Sequence, residues 1–330
     1  MQVYESKQWN LKNYPVAKIG LEHFELVTEN ISGGTIIKNK FLTVDPSTKA
    51  LMAPGQLVQK GGPLTSDALG EVIETDREDL KVGDIIVHKG GWREYHALGK
   101  DEWCLKVPDT SIDLKCYLSV LGSTARTAFV GATEVLKLKQ GMNVGISGVS
   151  GAVGLSLAQM AKLEGCNVLG FTSSLEKANW IKDNIGIEVI VSKGLSHAQL
   201  SEETFKVFPE GLDAYQEHVD NTHLFNAIMC SKPNSTIALC GLMKTYNGPI
   251  APGPNLVMSI WKNINIQGFF IANYPKEVTQ DKFFQYMREK LPQFKWKQST
   301  IDGIENMDSA FVDMFQNFDK GKIIINLQKW

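Results

Sequence analysis

Gly141-Met142-Asn143-Val144-Gly145-Ile146-Ser147-Gly148-Val149-Ser150-Gly151-Ala152-Val153-Gly154 runs directly into Leu155-Ser156-Leu157-Ala158-Gln159-Met160-Ala161-Lys162. A strand pattern gives way to a glycine-rich turn, and the turn opens an amphipathic helix of small residues. Such a turn lets backbone N–H groups and a helix N-terminus approach a pyrophosphate. The spacing is Gly148-x-x-Gly151-x-x-Gly154, not the strict G-x-G-x-x-G, so the flanking chain has to decide the reading.

The flanks alternate strand and helix from about residue 116 to 292. Strand patterns fall at 143–147, 167–171, 188–192, 212–219, 235–240 and 265–270. Helical patterns follow at 152–163, 175–184, 197–207, 222–230 and 276–290. Repeated right-handed strand-helix-strand units predict a doubly wound parallel sheet covered on both faces, of α/β class, with the six strands of a full dinucleotide fold. Residues 1–115 read differently. Runs at 34–41, 69–74 and 84–88 are alternating or β-branched and are punctuated by Gly, Pro and Asp, as in a small barrel or sandwich. Residues 293–330 return to that texture, with a turn at Gly303, a helix over 308–318 and a strand over 322–327. The expected organisation is a β-rich domain, 1–115, completed by 293–330, and a Rossmann domain, 116–292.

Bulk properties narrow the function. The chain has 330 residues, 43% of them hydrophobic, with 34 basic against 36 acidic side chains and a formal charge of −2. No block of like charge suggests nucleic acid or an anionic membrane surface. No apolar run reaches the roughly 18 residues of a membrane span, and Met1-Gln2-Val3-Tyr4-Glu5-Ser6-Lys7 lacks a secretory h-region. Five scattered cysteines (Cys104, Cys116, Cys166, Cys230 and Cys240), none paired as C-x-x-C, read as reduced thiols in a cytoplasmic protein without structural zinc.

The second strand pattern ends in Thr172-Ser173-Ser174-Leu175-Glu176-Lys177. An NAD site usually carries an acidic side chain at this tip to grip the ribose 2′-hydroxyl. Ser173, Ser174 and Lys177 offer hydroxyls and a positive charge instead, which suit a 2′-phosphate and favour NADP(H). The plainer alternative is that one serine caps the following helix and Lys177 is solvated.

With these residues in view the chain resembles the medium-chain dehydrogenase/reductases, and most closely their zinc-independent branch of prostaglandin reductases and alkenal double-bond reductases. The resemblance rests on Thr43-Val44-Asp45-Pro46, on Leu121-Gly122 to Thr127-Ala128-Phe129, and on Ser150-Gly151-Ala152-Val153-Gly154 with Ala161-Lys162-Leu163-Glu164-Gly165-Cys166. It continues through Thr245-Tyr246-Asn247 with Pro252-Gly253-Pro254, and through Glu305-Asn306-Met307 to Gly321-Lys322. It implies a GroES-like first domain, NADP(H) as cofactor and a homodimer. It also implies that Gly151, Ala152, Val153 and Gly154 contact the pyrophosphate. Cys240, Gly241 and Leu242 would line the crevice, and Phe269, Phe270 and Ile271 would flank the nicotinamide with Thr127 nearby. Tyr246 is the catalytic candidate: an enolate oxygen needs a donor placed in advance, and a phenol with a pKa of about 10 remains a donor at neutral pH.

The zinc-dependent branch holds its metal with an early cysteine and a Gly-His-Glu motif. The matching slots here read Val44-Asp45-Pro46 and Thr65-Ser66-Asp67, without thiolate or imidazole. His218 and His223, five apart, miss the i,i+4 spacing of a helical ligand pair and read as structural or solvent-facing. The chain also departs from its own branch. Ser192 with Lys193 stands where a tyrosine helps hold the 2′-phosphate, and His218-Val219-Asp220-Asn221 replaces Asn-Val-Gly-Gly. Asp45-Pro46-Ser47-Thr48-Lys49 replaces Asp-Pro-Tyr-Met-Arg, and Asp319 or Lys320 stands where an asparagine precedes the Gly-Lys pair.

Without a metal, hydride must go to an electrophile that is already activated. The leading expectation is therefore an NADPH-dependent reductase of the C=C bond of α,β-unsaturated ketones and aldehydes. An NADPH quinone oxidoreductase is the second reading. A non-catalytic NADP(H)-binding structural or regulatory protein is the third, and the altered 218–221 segment is its support.

Overall fold

The computed structural model describes residues 2–16, 18–248, 252–315 and 321–328. The chain divides into two compact units. Met1–Gly122, Tyr246–Gly248 and Lys297–Trp330 form the first, and Ser123–Thr245 with Pro249–Trp296 forms the second.

The first unit opens with a two-stranded antiparallel sheet of β1 (Tyr4–Leu11) and β2 (Phe24–Ile31). Next come β3 (Thr35–Val44), a single helical turn α1 (Ser47–Ala50), β4 (Ala68–Glu74), β5 (Ile85–His88), β6 (Tyr95–Leu98) and β7 (Cys104–Lys106). Nearly every residue of β3 is buried, which its Ile, Leu, Val and Phe content suits and which marks a central strand.

The second unit begins with α2 (Ser123–Val130) and continues through β8 (Asn143–Ile146), α3 (Ala152–Leu163), β9 (Asn167–Thr172), α4 (Leu175–Ile185), β10 (Glu188–Val191) and α5 (His197–Val207). Its second half holds β11 (Leu212–Glu217), α6 (Asn221–Cys230), β12 (Ser231–Leu239), α7 (Met243–Tyr246), α8 (Val257–Trp261), β13 (Asn265–Gly268) and α9 (Phe283–Lys290). The six strands are parallel in the order β10-β9-β8-β11-β12-β13, so the order reverses between β8 and β11. Ligands bind outside the C-terminal ends of strands at such a switch point. Local signals fix the helices that matter there. Ser174 caps the start of α4, and Gly186 in the left-handed region ends it with N–H bonds to Ile181 and Lys182. The core on one side of the sheet gathers Leu169, Phe171, Tyr215, Leu224 and Ile237. Gly145 is required there, because a Cβ would lie 2.4 Å from the Tyr215 ring.

The chain then returns to the first unit with β14 (Gln298–Asp302), α10 (Met307–Met314) and β15 (Lys322–Asn326). The resulting sheet runs β14-β15-β3-β4-β5-β7, with β6 also pairing β3. The last strand therefore lies inside the sheet, second from one end, antiparallel to β3 and parallel to β14. All five residues of β15 are buried, and each large apolar side chain so placed contributes about 1.5–3 kcal/mol. The core joins both ends of the chain: Trp92 meets Phe311 edge-on at 5.4 Å, and the Trp9 indole donates to the Ile304 carbonyl at 2.8 Å. The helix expected over 308–318 is α10; residues 316–318, Asp319 and Lys320 lie outside the described residues. All five cysteines are free thiols. Among the described residues no helix is long and apolar enough to cross a membrane.

Candidate functional site

The turn after β8 is held by its neighbours. Gly148 takes φ +56, the Gly151 N–H donates to the Gly148 carbonyl at 2.9 Å, and the Val149 N–H donates to Phe171 of β9 at 3.0 Å. Gly151 is the N-cap of α3, and no side chain caps the helix. Its first-turn N–H groups, from Ala152, Val153 and Gly154, need an acceptor from outside the helix. Gly154 permits the close packing, since a Cβ would lie 2.5 Å from the Gly148 oxygen and 2.9 Å from Val149 Cα. An uncapped N-terminus behind a glycine cradle fits a pyrophosphate.

The expected cofactor residues of the second unit lie almost all on one edge of the sheet. Ser173 and Ser174 follow β9, Ser192 follows β10, Cys240, Gly241 and Leu242 follow β12, and Phe269, Phe270 and Ile271 follow β13. Hydrogen bonds knit the edge together. Ser150 and Thr172 hydroxyls meet at 3.0 Å, and the Ser192 N–H reaches the Thr172 carbonyl at 2.8 Å. Cys240 and Gly241 N–H groups both donate to the Glu217 carbonyl. Thr127 stands apart from the strand ends, on α2, with its hydroxyl donated to the Ser123 carbonyl at 2.8 Å. Phe270 is exposed and Phe269 partly buried.

At the β9 tip both readings of the serines hold in part. Ser174 accepts the Lys177 N–H at 3.3 Å and is the N-cap of α4. Its hydroxyl proton stays available to an anion, because a hydroxyl accepts and donates at once. Ser173 is exposed, and Lys177 is partly buried one turn into α4. Cys240 is no nucleophile here: desolvation, with Glu217 nearby, pushes its thiol up to about 12.

Beneath this edge lies a buried polar cluster. His218 Nδ1 donates to the Ser147 carbonyl at 2.6 Å, and Nε2 faces the Gln216 amide nitrogen at 3.0 Å. Burial holds this ring down to about 4, so it is neutral and structural. Glu217 is fully buried; its Oε1 accepts the Val219 and Asp220 N–H groups at 2.5 and 2.9 Å. Burial pushes its carboxyl up to about 8, against the pull of those two donors and of Ser147.

That carboxyl predicts a pH signature. A group whose folded pKa lies above its unfolded value contributes stability fully below the unfolded value and loses it as pH rises through the folded one. For Glu217 the loss runs from about 4.5 to about 8. Glu217→Gln keeps the accepting oxygen and cannot ionise. Its melting temperature is expected to match the parent's at pH 5 and to exceed it by roughly 5 °C at pH 9. A difference that does not grow with pH would contradict a neutral buried carboxyl.

In the first unit Tyr246 is partly buried at the end of α7, and the Lys49 ammonium donates to its carbonyl. The Asn247 side chain accepts the Ile19 N–H at 2.7 Å. Burial lowers the Lys49 pKa. The two slots matched to zinc ligands hold ion pairs: Asp45 with Lys322, and Asp67 with Lys89. An ammonium on each acid offers a divalent cation repulsion instead of ligands. Among the described residues no group of three or more His, Cys, Asp or Glu side chains could hold a metal.

Sequence reasoning missed Lys49, and it missed His223 with Asp220. His223 Nδ1 lies 2.8 Å from Asp220, and Nε2 lies 3.0 Å from the Ser192 hydroxyl. An Asp-x-x-His at a helix start is the local signal that could have raised it.

Comparison with known proteins identifies relatives of the whole chain. Residues 7–107 match a family model described as the N-terminal domain of oxidoreductase, and residues 152–289 match one described as zinc-binding dehydrogenase. Prostaglandin reductase 1 of Sus scrofa is 30% identical over 97% of this chain and 98% of its own length. The 2-alkenal reductase (NADP(+)-dependent) of Nicotiana tabacum is 28% identical over 98% of each. The crystal structure of CurA from Vibrio vulnificus in complex with NADPH shares the fold, with a TM-score of 0.88 at 24% identity, covering 98% of this chain and 100% of that one.

Proposed function

Because the chain belongs to the prostaglandin reductase and alkenal reductase family of medium-chain dehydrogenase/reductases, we propose that it is a zinc-independent reductase of α,β-unsaturated ketones and aldehydes using NADPH. The observation that carries the reading is the pair of ion pairs, Asp45 with Lys322 and Asp67 with Lys89, in the slots matched to zinc ligands. A simple carbonyl at such a site has no metal to polarise it. A conjugated C=C bond is already polarised, and attack at its β-carbon leaves an enolate.

NADPH, when bound, supplies the hydride. The first-turn N–H groups of α3, at Ala152, Val153 and Gly154, hold its pyrophosphate, and Ser173, Ser174 and Lys177 hold its 2′-phosphate. The Tyr246 hydroxyl donates a hydrogen bond to the developing enolate oxygen and stabilises it against protein-free water. Lys49 keeps the Tyr246 backbone in position through its hydrogen bond to the carbonyl. Solvent returns the proton to the α-carbon.

A panel of enones, enals and quinones tests the reading by loss of NADPH absorbance. Turnover of enones and enals supports it; turnover of quinones alone, or of nothing, overturns it. Lys177→Ala is expected to weaken NADPH roughly tenfold and to leave NADH nearly unchanged. Equal weakening of both would remove Lys177 from the phosphate site.

The quaternary assignment is a homodimer. Ile260 and Trp261 of α8 are 79% and 80% exposed beside β13, the edge strand of the sheet, and Phe270 follows that strand at 63%. Exposed large apolar side chains close in sequence to an edge strand suit a second copy of the same chain. A monomeric mass by light scattering at micromolar concentration would overturn it.

A further inference from the structure

The function proposed above makes no use of His218-Val219-Asp220-Asn221, which stands where the resembled branch has Asn-Val-Gly-Gly. The backbone does not call for glycine at the third position. Asp220 takes φ −164, extended backbone that any residue adopts, and begins α6 as its N-cap.

The side chains of Asp220 and Asn221 both reach the segment that carries Tyr246. Asp220 Oδ2 accepts from the Lys244 ammonium at 2.6 Å, two residues before Tyr246. The Asn221 amide donates to the Pro252 carbonyl at 2.6 Å, six residues after it. Two backbone bonds join the same pieces. The Met243 N–H donates to the His218 carbonyl and the Lys244 N–H to the Val219 carbonyl, each at 3.0 Å. Glycines at 220 and 221 would keep the backbone bonds and lose both side-chain bonds.

The anchor is firm on its own side. Asp220 Oδ1 accepts the His223 N–H at 3.0 Å and lies 2.8 Å from His223 Nδ1. Burial works to raise the Asp220 pKa, but hydrogen bonds from His223 and Lys244 outweigh it and hold the carboxyl far below the carboxylate range. An ionised carboxylate only accepts, so His223 Nδ1 carries a proton, and the second oxygen is left for Lys244. His223 is itself buried in α6, with the Phe171 ring edge-on at 6.1 Å. Lys244 is largely exposed, and its charge-assisted bond to this fixed carboxylate is what orders the long side chain.

We propose that Asp220 and Asn221 are positioning residues that clamp both stalks of the Tyr246 loop to the turn between β11 and α6, so that the loop is ordered before cofactor or acceptor arrives. This rests on the reading of Tyr246 as the enolate donor. A loop pinned on both flanks gives up its freedom on folding and not during turnover. A donor held in place ahead of the reaction needs no reorganisation in the transition state. The departure from glycine that spoke for a non-catalytic protein is on this view a tightening of the catalytic loop.

Lys244→Met and Asn221→Ala remove one bond each, and the double variant removes both. In the cofactor-free double variant the amides of Met243, Lys244 and Thr245 are expected to exchange with solvent roughly tenfold faster, with those of α6 unchanged. The kcat for an enone is expected to fall about threefold in each single variant and about tenfold in the double, with the NADPH Kd changed less than about twofold. Lys244→Arg, which keeps the ion pair, should match the parent. In a Tyr246→Phe background the double variant should cost no further kcat, because the clamp acts through that hydroxyl. Unchanged exchange in the double variant overturns the clamp. Faster exchange with kcat intact overturns the positioning role, as does a kcat loss that persists in full without the tyrosine hydroxyl. If Tyr246→Phe alone leaves kcat unaltered, the enolate-donor reading fails, and amide exchange still decides whether the clamp exists.

Discussion

Gly154→Ala is expected to weaken NADPH binding by about 100-fold or more while leaving the first unit folded. The added Cβ would meet backbone, not a flexible side chain: the Gly148 oxygen at 2.5 Å, Val149 Cα at 2.9 Å and the Gly148 carbonyl carbon at 3.1 Å. Neither neighbour can yield cheaply. Val149 is bonded through its N–H to Phe171, and its side chain fills the space beside Gly170, where a Cβ would lie 2.6 Å from it. Relief must separate the turn from the start of α3, and that start is where N–H groups converge on a pyrophosphate. Strain of this kind costs typically 1–3 kcal/mol in stability. The loss of binding is larger because a cradle of several N–H groups works only as a set. Calorimetric titration with NADPH, with circular dichroism to check folding, measures both. A folded Gly154→Ala protein that binds NADPH within about tenfold of the parent would show that the turn does not carry the cofactor.

Tyr246→Phe is expected to lower kcat for enone reduction by about 10²–10³ and to leave NADPH affinity unchanged. The change removes one hydroxyl and little volume. Lys49 bonds the Tyr246 backbone carbonyl, which phenylalanine also has, so the turn should keep its place. A donor aimed at charge that develops only in the transition state affects kcat far more than ground-state binding, and losing one such donor typically costs that factor. Steady-state kinetics with an enone at saturating NADPH decide the matter. An unaltered kcat would remove Tyr246 from the chemistry; a rise in KM with kcat preserved would make it a binding residue only.

How much of this could be read from the sequence depends on how far apart the interacting residues lie. Helix α3 has the ends that the 152–163 pattern predicts, because glycine turn, small-residue stripe and terminal Gly165 are all local signals. β12 is different. It starts at Ser231, four residues before the apolar run, since Pro233 and Asn234, the latter at φ +62, disguise its first half. The pairing with β11 shifts register there, between Leu212 and Ala214. The strands β1 and β2 are rich in Glu, Asn and Gln, and their weak alternation gives little to read. The site divides in the same way. The β9 tip and the turn after β8 are short motifs, whereas Lys49 meets Tyr246 across 197 residues and His223 meets Ser192 across 31. His218 and His223 sit five apart, but His218 lies in the loop after β11 and only His223 is in α6, so helical spacing was the wrong ruler for them.

The place of β15 between β14 and β3 also fixes an order of events on the ribosome. Lys322 trails its partner Asp45 by 277 residues, roughly half a minute of synthesis at about ten residues per second. Through that interval the nascent first unit holds the end of β3, Phe41–Val44, unpaired on the side away from β4, and Trp9, Phe24 and Trp92 without Phe311 to cover them. The strands β8 to β13 all emerge before β15 does. The part of the chain made first is thus the part completed last, and until Asn326 has been translated it depends on the surrounding cell to keep its open edge from other strands.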